Sequence, residues 1–204
     1  MAFYIKLYTP ETREAFASSP RDVSGFRLRQ KGMAERIKPG DLFICYLTRL
    51  SRWFGVLEVV DGPYIDNKPI FVPEDDPFVV RFHVRTLILL DHEKAIPIHD
   101  SEIWKGLSFT RNLDPRSLGW TGKVRSSLVR LDDADGQFLF DRLKAQLQGG
   151  IRYPLDEEDR RKLTTHTVTR PDKIVAVTVP DDSGSIEISE QPIETEVRES
   201  IRIQ

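Results

Sequence analysis

Aromatic and basic side chains stand side by side at several points of this 204-residue chain. Phe26 lies between Gly25 and Arg27, Trp53 follows Arg52, and Trp120 precedes Lys123 and Arg125 within one short stretch. An aromatic face can stack on a nucleobase for ~1–3 kcal/mol. A neighbouring Arg or Lys can hold the adjoining phosphate. On that chemistry the candidates for base contact are Phe26, Tyr46, Trp53, Trp120 and Ser126. The candidates for phosphate contact are Arg27, Arg49, Arg52, Lys123 and Arg125. Each also has a plainer role. Phe26 and Trp53 would serve equally as core. Tyr46 sits in an apolar run and reads first as core, although its hydroxyl could bond a base edge. Ser126 could bond a base or only its own backbone. The cations could be ordinary solvated surface. Trp104, beside Ile103 and near Leu107, reads as core.

Charge gives these candidates partial support. The net charge of −2 excludes a chain-wide polycation. From residue 151 onward there are 8 basic and 12 acidic residues, so the earlier part is slightly basic. Within it, Arg27 to Lys38 and Arg111 to Arg130 are two local basic stretches that a fold could bring together.

Other chemistries lack their signatures. His83, His92, His99 and His166 show no metal-ligand spacing, and no Gly-x-Ser-x-Gly, P-loop or dinucleotide fingerprint occurs. Cys45 is the only cysteine, which excludes an intrachain disulfide and any Cys-x-x-Cys zinc site. No catalytic residue, metal or cofactor is therefore expected. Apolar runs such as Leu87–Leu90 are far shorter than the ~18 residues of a membrane span, and the N-terminus shows no signal-peptide pattern. The expectation is a cytoplasmic protein with no membrane partner.

The elements that must position the candidates are legible from pattern. Phe3 to Tyr8 alternates as a strand. Thr9-Pro10-Glu11 opens a helix that must end before Pro20. Phe26 to Ile37 reads as a basic, helix-prone segment interrupted by Gly32. Lys38-Pro39-Gly40-Asp41 is a turn feeding the apolar strand Leu42 to Leu47. A second strand, Trp53 to Val60, closes at Asp61-Gly62-Pro63. Phe78 to Leu90 is the longest β stretch, Ala95 to Ile98 and Leu128 to Leu131 are short ones, and Asp100 to Leu107 is a helical turn. Asp132-Asp133 opens a helix with Phe138, Leu139, Leu143 and Leu147 at helical spacing. After Gly150 the chain turns acidic, and only Ile174 to Val179, bracketed by Pro171 and Pro180, suggests a strand. Asp181 to Gln204 has little to bury. The fold class is α+β, a small mixed barrel with flanking helices over residues 1–149, followed by an acidic, Pro-interrupted tail or linker over 150–204.

The order of several blocks resembles an EVE domain, a member of the PUA-like superfamily that includes the YTH domains. The blocks are Phe3-Tyr4-Ile5-Lys6, Gly25-Phe26-Arg27, Arg36-Ile37-Lys38-Pro39-Gly40-Asp41 running into Leu42-Phe43-Ile44-Cys45-Tyr46-Leu47-Thr48, then Arg52 to Val59, Phe78 to Phe82, and Arg125 to Leu128. The resemblance ends near Gly150. It implies a PUA-like mixed β-barrel that binds rather than catalyses. Such a domain takes a modified, for instance methylated, base into an aromatic-lined cleft, flipped out of DNA in preference to RNA. It also implies a sensor in a modification-dependent restriction or regulatory system, with an effector nuclease or ATPase as a separate chain. Many relatives carry Trp where this chain has Phe26, and more often Phe where it has Trp53. The alternative is a protein-interaction or small-ligand module using the same cleft. It would be favoured by a neutral or acidic rim, and the nucleic-acid reading by a basic one.

Overall fold

The computed structural model describes residues 1–70, 77–169, 173–178 and 187–192. The chain divides into two units, Met1–Asp156 and Glu157–Gln204. In the first unit β1 (Phe3–Tyr8) leads into α1 (Pro10–Ala17). Thr9 caps that helix by accepting from the Thr12 N–H, and Thr12 bonds back to the Thr9 N–H. Pro10 at the first helical position loses no hydrogen bond there. Next come β2 (Val23–Phe26), a 3-10 turn (Leu28–Gln30) and the short α2 (Lys31–Ala34). Phe26 therefore ends a strand, and only the residues after it turn helical. The expected turn and apolar run form β3 (Leu42–Leu47), all six residues of which are buried.

β4 (Arg52–Ile65) is longer than expected. Its Asp61-Gly62-Pro63 segment does not end the strand. It is absorbed as irregularities in the pairing with β5 (Val80–Leu89), with Gly62 at φ +119°. β6 (Ile96–Pro97) is a short strand beside β4, and α3 (Ser101–Gly106) is capped by Asp100. Leu128 to Leu131 runs along the outer edge of β1, bonding Ile5 and Phe3 backbone groups, with one bridge pair, Tyr4 and Arg130. α4 (Asp133–Gly149) closes the domain.

The sheet order is β1-β3-β4-β5-β2. β1 and β3 are parallel, and the remaining pairs are antiparallel. The sheet curls into a half-barrel with β1 and β2 as its two ends. Alternation gives it two apolar faces. On one face Phe3, Ile5, Leu42, Ile44, Tyr46 and Trp53 meet α3 and α4 through Ile103, Trp104, Leu139 and Leu143. α4 comes so close at Gly136 that a Cβ there would fall 2.1 Å from the Phe3 ring. On the other face Phe26, Phe43 and Phe82 pack in tilted and edge-on contacts 5.3–5.8 Å apart.

The second unit contains α5 (Glu157–Thr164) and a three-stranded antiparallel sheet of β7 (Thr165–Thr169), β8 (Lys173–Thr178) and β9 (Glu187–Pro192). β8 answers to the one strand suggested by sequence. β7 and β9, rich in Thr or in acidic residues, carry no apolar alternation to announce them. Pro171, Pro180 and most of 181–204 lie outside the described residues. No described helix is long and apolar enough to cross a membrane.

Candidate functional site

The half-barrel leaves a cleft where its two end strands approach each other. Lys6, Leu7 and Tyr8 of β1 form one side, and Gly25 and Arg27, at the end of β2, form the other. The cleft has a volume of about 230 Å³, below the ~300–1,000 Å³ usual for drug-sized ligands, so it suits a small flat group. Phe78, just before β5, supplies a half-buried aromatic wall, whereas the Tyr8 ring is buried against Phe16 and Phe54. Thr9 and Thr12 at the start of α1, and Thr48 after β3, add hydroxyls. Gln30, Ser126 and Ser127 face them, and Arg27, Arg29 and Arg125 complete the lining. No carboxylate belongs to it among the described residues.

Local bonding fixes this arrangement. Gln30 accepts from the Arg27 N–H at 3.1 Å and donates to the Ser127 carbonyl at 3.1 Å, which ties the turn after β2 to the segment covering β1. Ser127 Oγ accepts from the Leu7 N–H at 3.0 Å. Ser126 Oγ donates to the Ser127 carbonyl at 3.2 Å and so bonds its own backbone. The Arg27 guanidinium lies over Phe78, 4.8 Å from its ring centre.

Lys6 spans the two strand ends. Its Nζ donates to the Gly25 carbonyl at 2.5 Å. The ammonium lies 4.0 Å from the ring centre of Phe26, 5.0 Å from that of Tyr8 and 5.7 Å from that of Phe78. Only 3% of the residue is exposed. Burial pulls its pKa from 10.5 down to about 7. At Gly25 a Cβ would come within 2.8 Å of Ile70 and Phe78 side-chain atoms, so only glycine lets the strand and the Phe78 wall approach this closely. Burial also pushes the Tyr8 hydroxyl well above its usual range, leaving it a protonated donor.

Of the ten residues named from sequence, Arg27, Arg125 and Ser126 line this cleft. Phe26 lies behind it, buried against Phe43 and Phe82 with its ring under the Lys6 ammonium. The other aromatics are core. Trp53 is fully buried and packs edge-on to Tyr46 at 4.6 Å. Trp120 is buried against Trp104 and His99. Trp104 is core, as expected.

Two cations are committed elsewhere. Arg52 is buried and donates to the carbonyls of Tyr153 at 2.9 Å, His92 at 3.2 Å and Pro154 at 3.5 Å. Arg49 pairs with Glu11 at 2.7 Å. Lys123 sits in a 3-10 turn (Gly119–Val124) and is not among the lining residues.

Sequence reasoning passed over Lys6, Tyr8 and Phe78 as site residues. One signal was available: a two-residue period puts Lys6 between Tyr4 and Tyr8 on one face of β1, a lysine where an apolar residue would pack. Among the described residues no three His, Cys, Asp or Glu side chains group as metal ligands would.

No family model matches the sequence, and no curated protein does. Solved structures do match. The Mmi1 YTH domain has a TM-score of 0.51 at 12% identity, covering 72% of this chain and 98% of that one. The Mmi1 YTH domain in complex with RNA has 0.50 at 14% identity, covering 72% and 80%. Human THYN1 in complex with 5-methylcytosine-containing DNA has 0.44 at 17% identity, covering 72% and 98%. The Mmi1 likenesses show that this chain has the fold of the YTH domains, the PUA-like architecture expected from its sequence.

Proposed function

We propose that the cleft between β1 and β2 binds a modified nucleobase turned out of a nucleic-acid strand, and that the protein is a reader rather than an enzyme. The carrying observation is the composition of the cleft: the Phe78 ring as an aromatic wall, a set of hydroxyl and amide groups, and three arginines. A base leaving its stack needs an aromatic face in exchange, and the strand on either side needs cations. A methyl group buried against Phe78 adds ~0.8 kcal/mol, about fourfold, so modification is read through close fit as much as through area. The arginines of the described lining support this reading over a protein-interaction or small-ligand module. The match to a YTH domain solved with RNA agrees with it at the level of the fold.

The resemblance to EVE domains favours DNA as the polymer, a modification-dependent restriction or regulatory system as the setting, and a separate nuclease or ATPase as the effector. The test is binding of short DNA and RNA strands, each with and without one modified base, at two salt concentrations. Modified strands should bind more tightly, and all binding should weaken as salt rises. Absence of binding to every strand at low salt would overturn the proposal.

A further inference from the structure

Lys6 is a buried cation whose described surroundings hold no counter-ion. A buried ammonium costs free energy unless it is paired and hydrogen-bonded. Lys6 has three donors and, among the described residues, one oxygen acceptor, the Gly25 carbonyl. The rest of its surroundings are the ring faces of Phe26, Tyr8 and Phe78, which favour a cation without accepting an ordinary hydrogen bond. The groups that act on it electrostatically are the Cys45 thiol of β3 and the Arg27 guanidinium, and neither is an anion at neutral pH. Yet the side chain lines the cleft, beside the Phe78 wall that would hold a base. A purely structural bridge between strand ends would need one donor and no charge.

We propose that Lys6 chooses the base: its ammonium donates to an oxygen of the bound ring, so the cleft takes oxo-bases of the cytosine, thymine or guanine type in preference to adenine. This rests on the base-binding reading above and sharpens it. Cytosine, thymine and guanine each carry a ring carbonyl oxygen. Adenine has none: its acceptors are the ring nitrogens N1, N3 and N7, and beside N1 and N7 the amino group presents hydrogens to whatever approaches. A donor-only ammonium facing those hydrogens is mismatched, whereas a ring oxygen gives it a second acceptor. Hydrogen bonds from charged donors are among the stronger ones, so the preference should be about 10- to 100-fold. The same contact makes binding depend on pH. Lys6 is charged below about 7, and an acceptor oxygen favours the charged form. Affinity for an oxo-base should therefore be level in acid and fall as pH rises through about 7.

The experiment measures the affinity of the full chain for short single strands carrying one 5-methylcytosine, 5-methyluracil or N6-methyladenine, at pH 6 and pH 8.5. It uses the wild type and Lys6→Met, which keeps the stem length and removes the charge. The expected result is tighter binding of both oxo-base strands at pH 6, a preference that shrinks at pH 8.5, and loss of both effects in Lys6→Met. Equal or tighter binding of N6-methyladenine by the wild type overturns the inference without needing any variant. So does a base preference and pH profile that survives in folded Lys6→Met, which would make Lys6 a strand bridge only. If no strand binds the wild type at either pH, the base-binding reading itself fails, and this inference fails with it.

Discussion

Phe78 and Trp53 differ in what their removal would leave behind. Phe78 is half-buried in the cleft wall, with Arg27 on its ring. Phe78→Ala removes a stacking face and little core, so affinity for a modified strand should fall by ~1–3 kcal/mol, about 5- to 150-fold, with a small change in melting. Trp53 has no exposed surface and sits in the cluster shared by the sheet, α3 and α4. Trp53→Ala should cost ~3–5 kcal/mol of folding free energy, while its folded fraction binds normally. Trp53→Phe should be far milder, because among the described residues the indole N–H has no acceptor to lose. Melting and affinity measured on the same three variants decide the matter. A stable, non-binding Trp53→Ala would return Trp53 to the site. The facing of Trp53 was not legible in the sequence because a bulge intervenes. Cys45 pairs with Gly55 but Tyr46 pairs with Trp53, so β4 carries an extra residue, Phe54, at that point. A one-residue slip exchanges the faces of a strand, and nothing in Arg52-Trp53-Phe54-Gly55 announces it. Arg27, Arg125 and Ser126 were legible because each belongs to a block whose order marks the two segments that meet at the cleft.

At the scale of elements, two arginines of one expected class do opposite work. Arg125 belongs to the segment that covers the end of β1 and lines the cleft. Arg52 opens β4 and holds the strap formed by residues 151–154, which lies across the loop containing His92 and Glu93. Besides the Arg52 bonds, the Tyr153 N–H donates to the Glu93 carbonyl at 2.7 Å and its hydroxyl to Asp100 at 3.1 Å. Gln146 of α4 donates to the Lys94 carbonyl at 2.8 Å and the Ile151 carbonyl at 2.6 Å. Arg52→Ala leaves several carbonyls short of a donor and should cost at least ~2 kcal/mol of stability, with the salt dependence of binding unchanged. Arg125→Ala should leave the melt alone, weaken modified and plain strands alike, and flatten the salt dependence by about one phosphate's worth. Titrations at a series of salt concentrations, beside thermal melts, separate the two. An Arg52→Ala protein that melts normally and loses salt dependence would put Arg52 back on a phosphate. A sequence shows that an arginine comes after a polar loop. It does not show that a strap a hundred residues later offers it carbonyls, and the strap itself reads as the start of a tail because it is short and comes directly after Gly149-Gly150.

For the whole molecule, the distribution of charge and the position of the strap together predict what truncation does. Every described lining residue of the cleft lies within Met1–Asp156. The segment from Glu157 onward carries 7 basic and 11 acidic residues, so its removal turns a chain of net charge −2 into one of +2. A chain ending at Asp156 keeps the strap, and one ending at Gly150 loses it. The first should retain a cooperative melt, because the core, the cleft and the strap bonds all lie within it. It should also bind plain strands somewhat more tightly than the full chain at low salt, since the removed charge repels phosphate; that gain should vanish at high salt. The second loses the strap bonds to Glu93, Asp100, Arg52 and Gln146, each worth ~0.5–1.5 kcal/mol net. At ~2–4 °C per kcal/mol for a domain of this size, it should melt about 4–24 °C below the first. Calorimetry on the two truncations is the measurement. Equal melting temperatures would show that the strap adds nothing. Loss of the cooperative transition in the chain ending at Asp156 would show that the half-barrel depends on residues beyond Asp156, and the boundary would then have to be drawn past the second sheet.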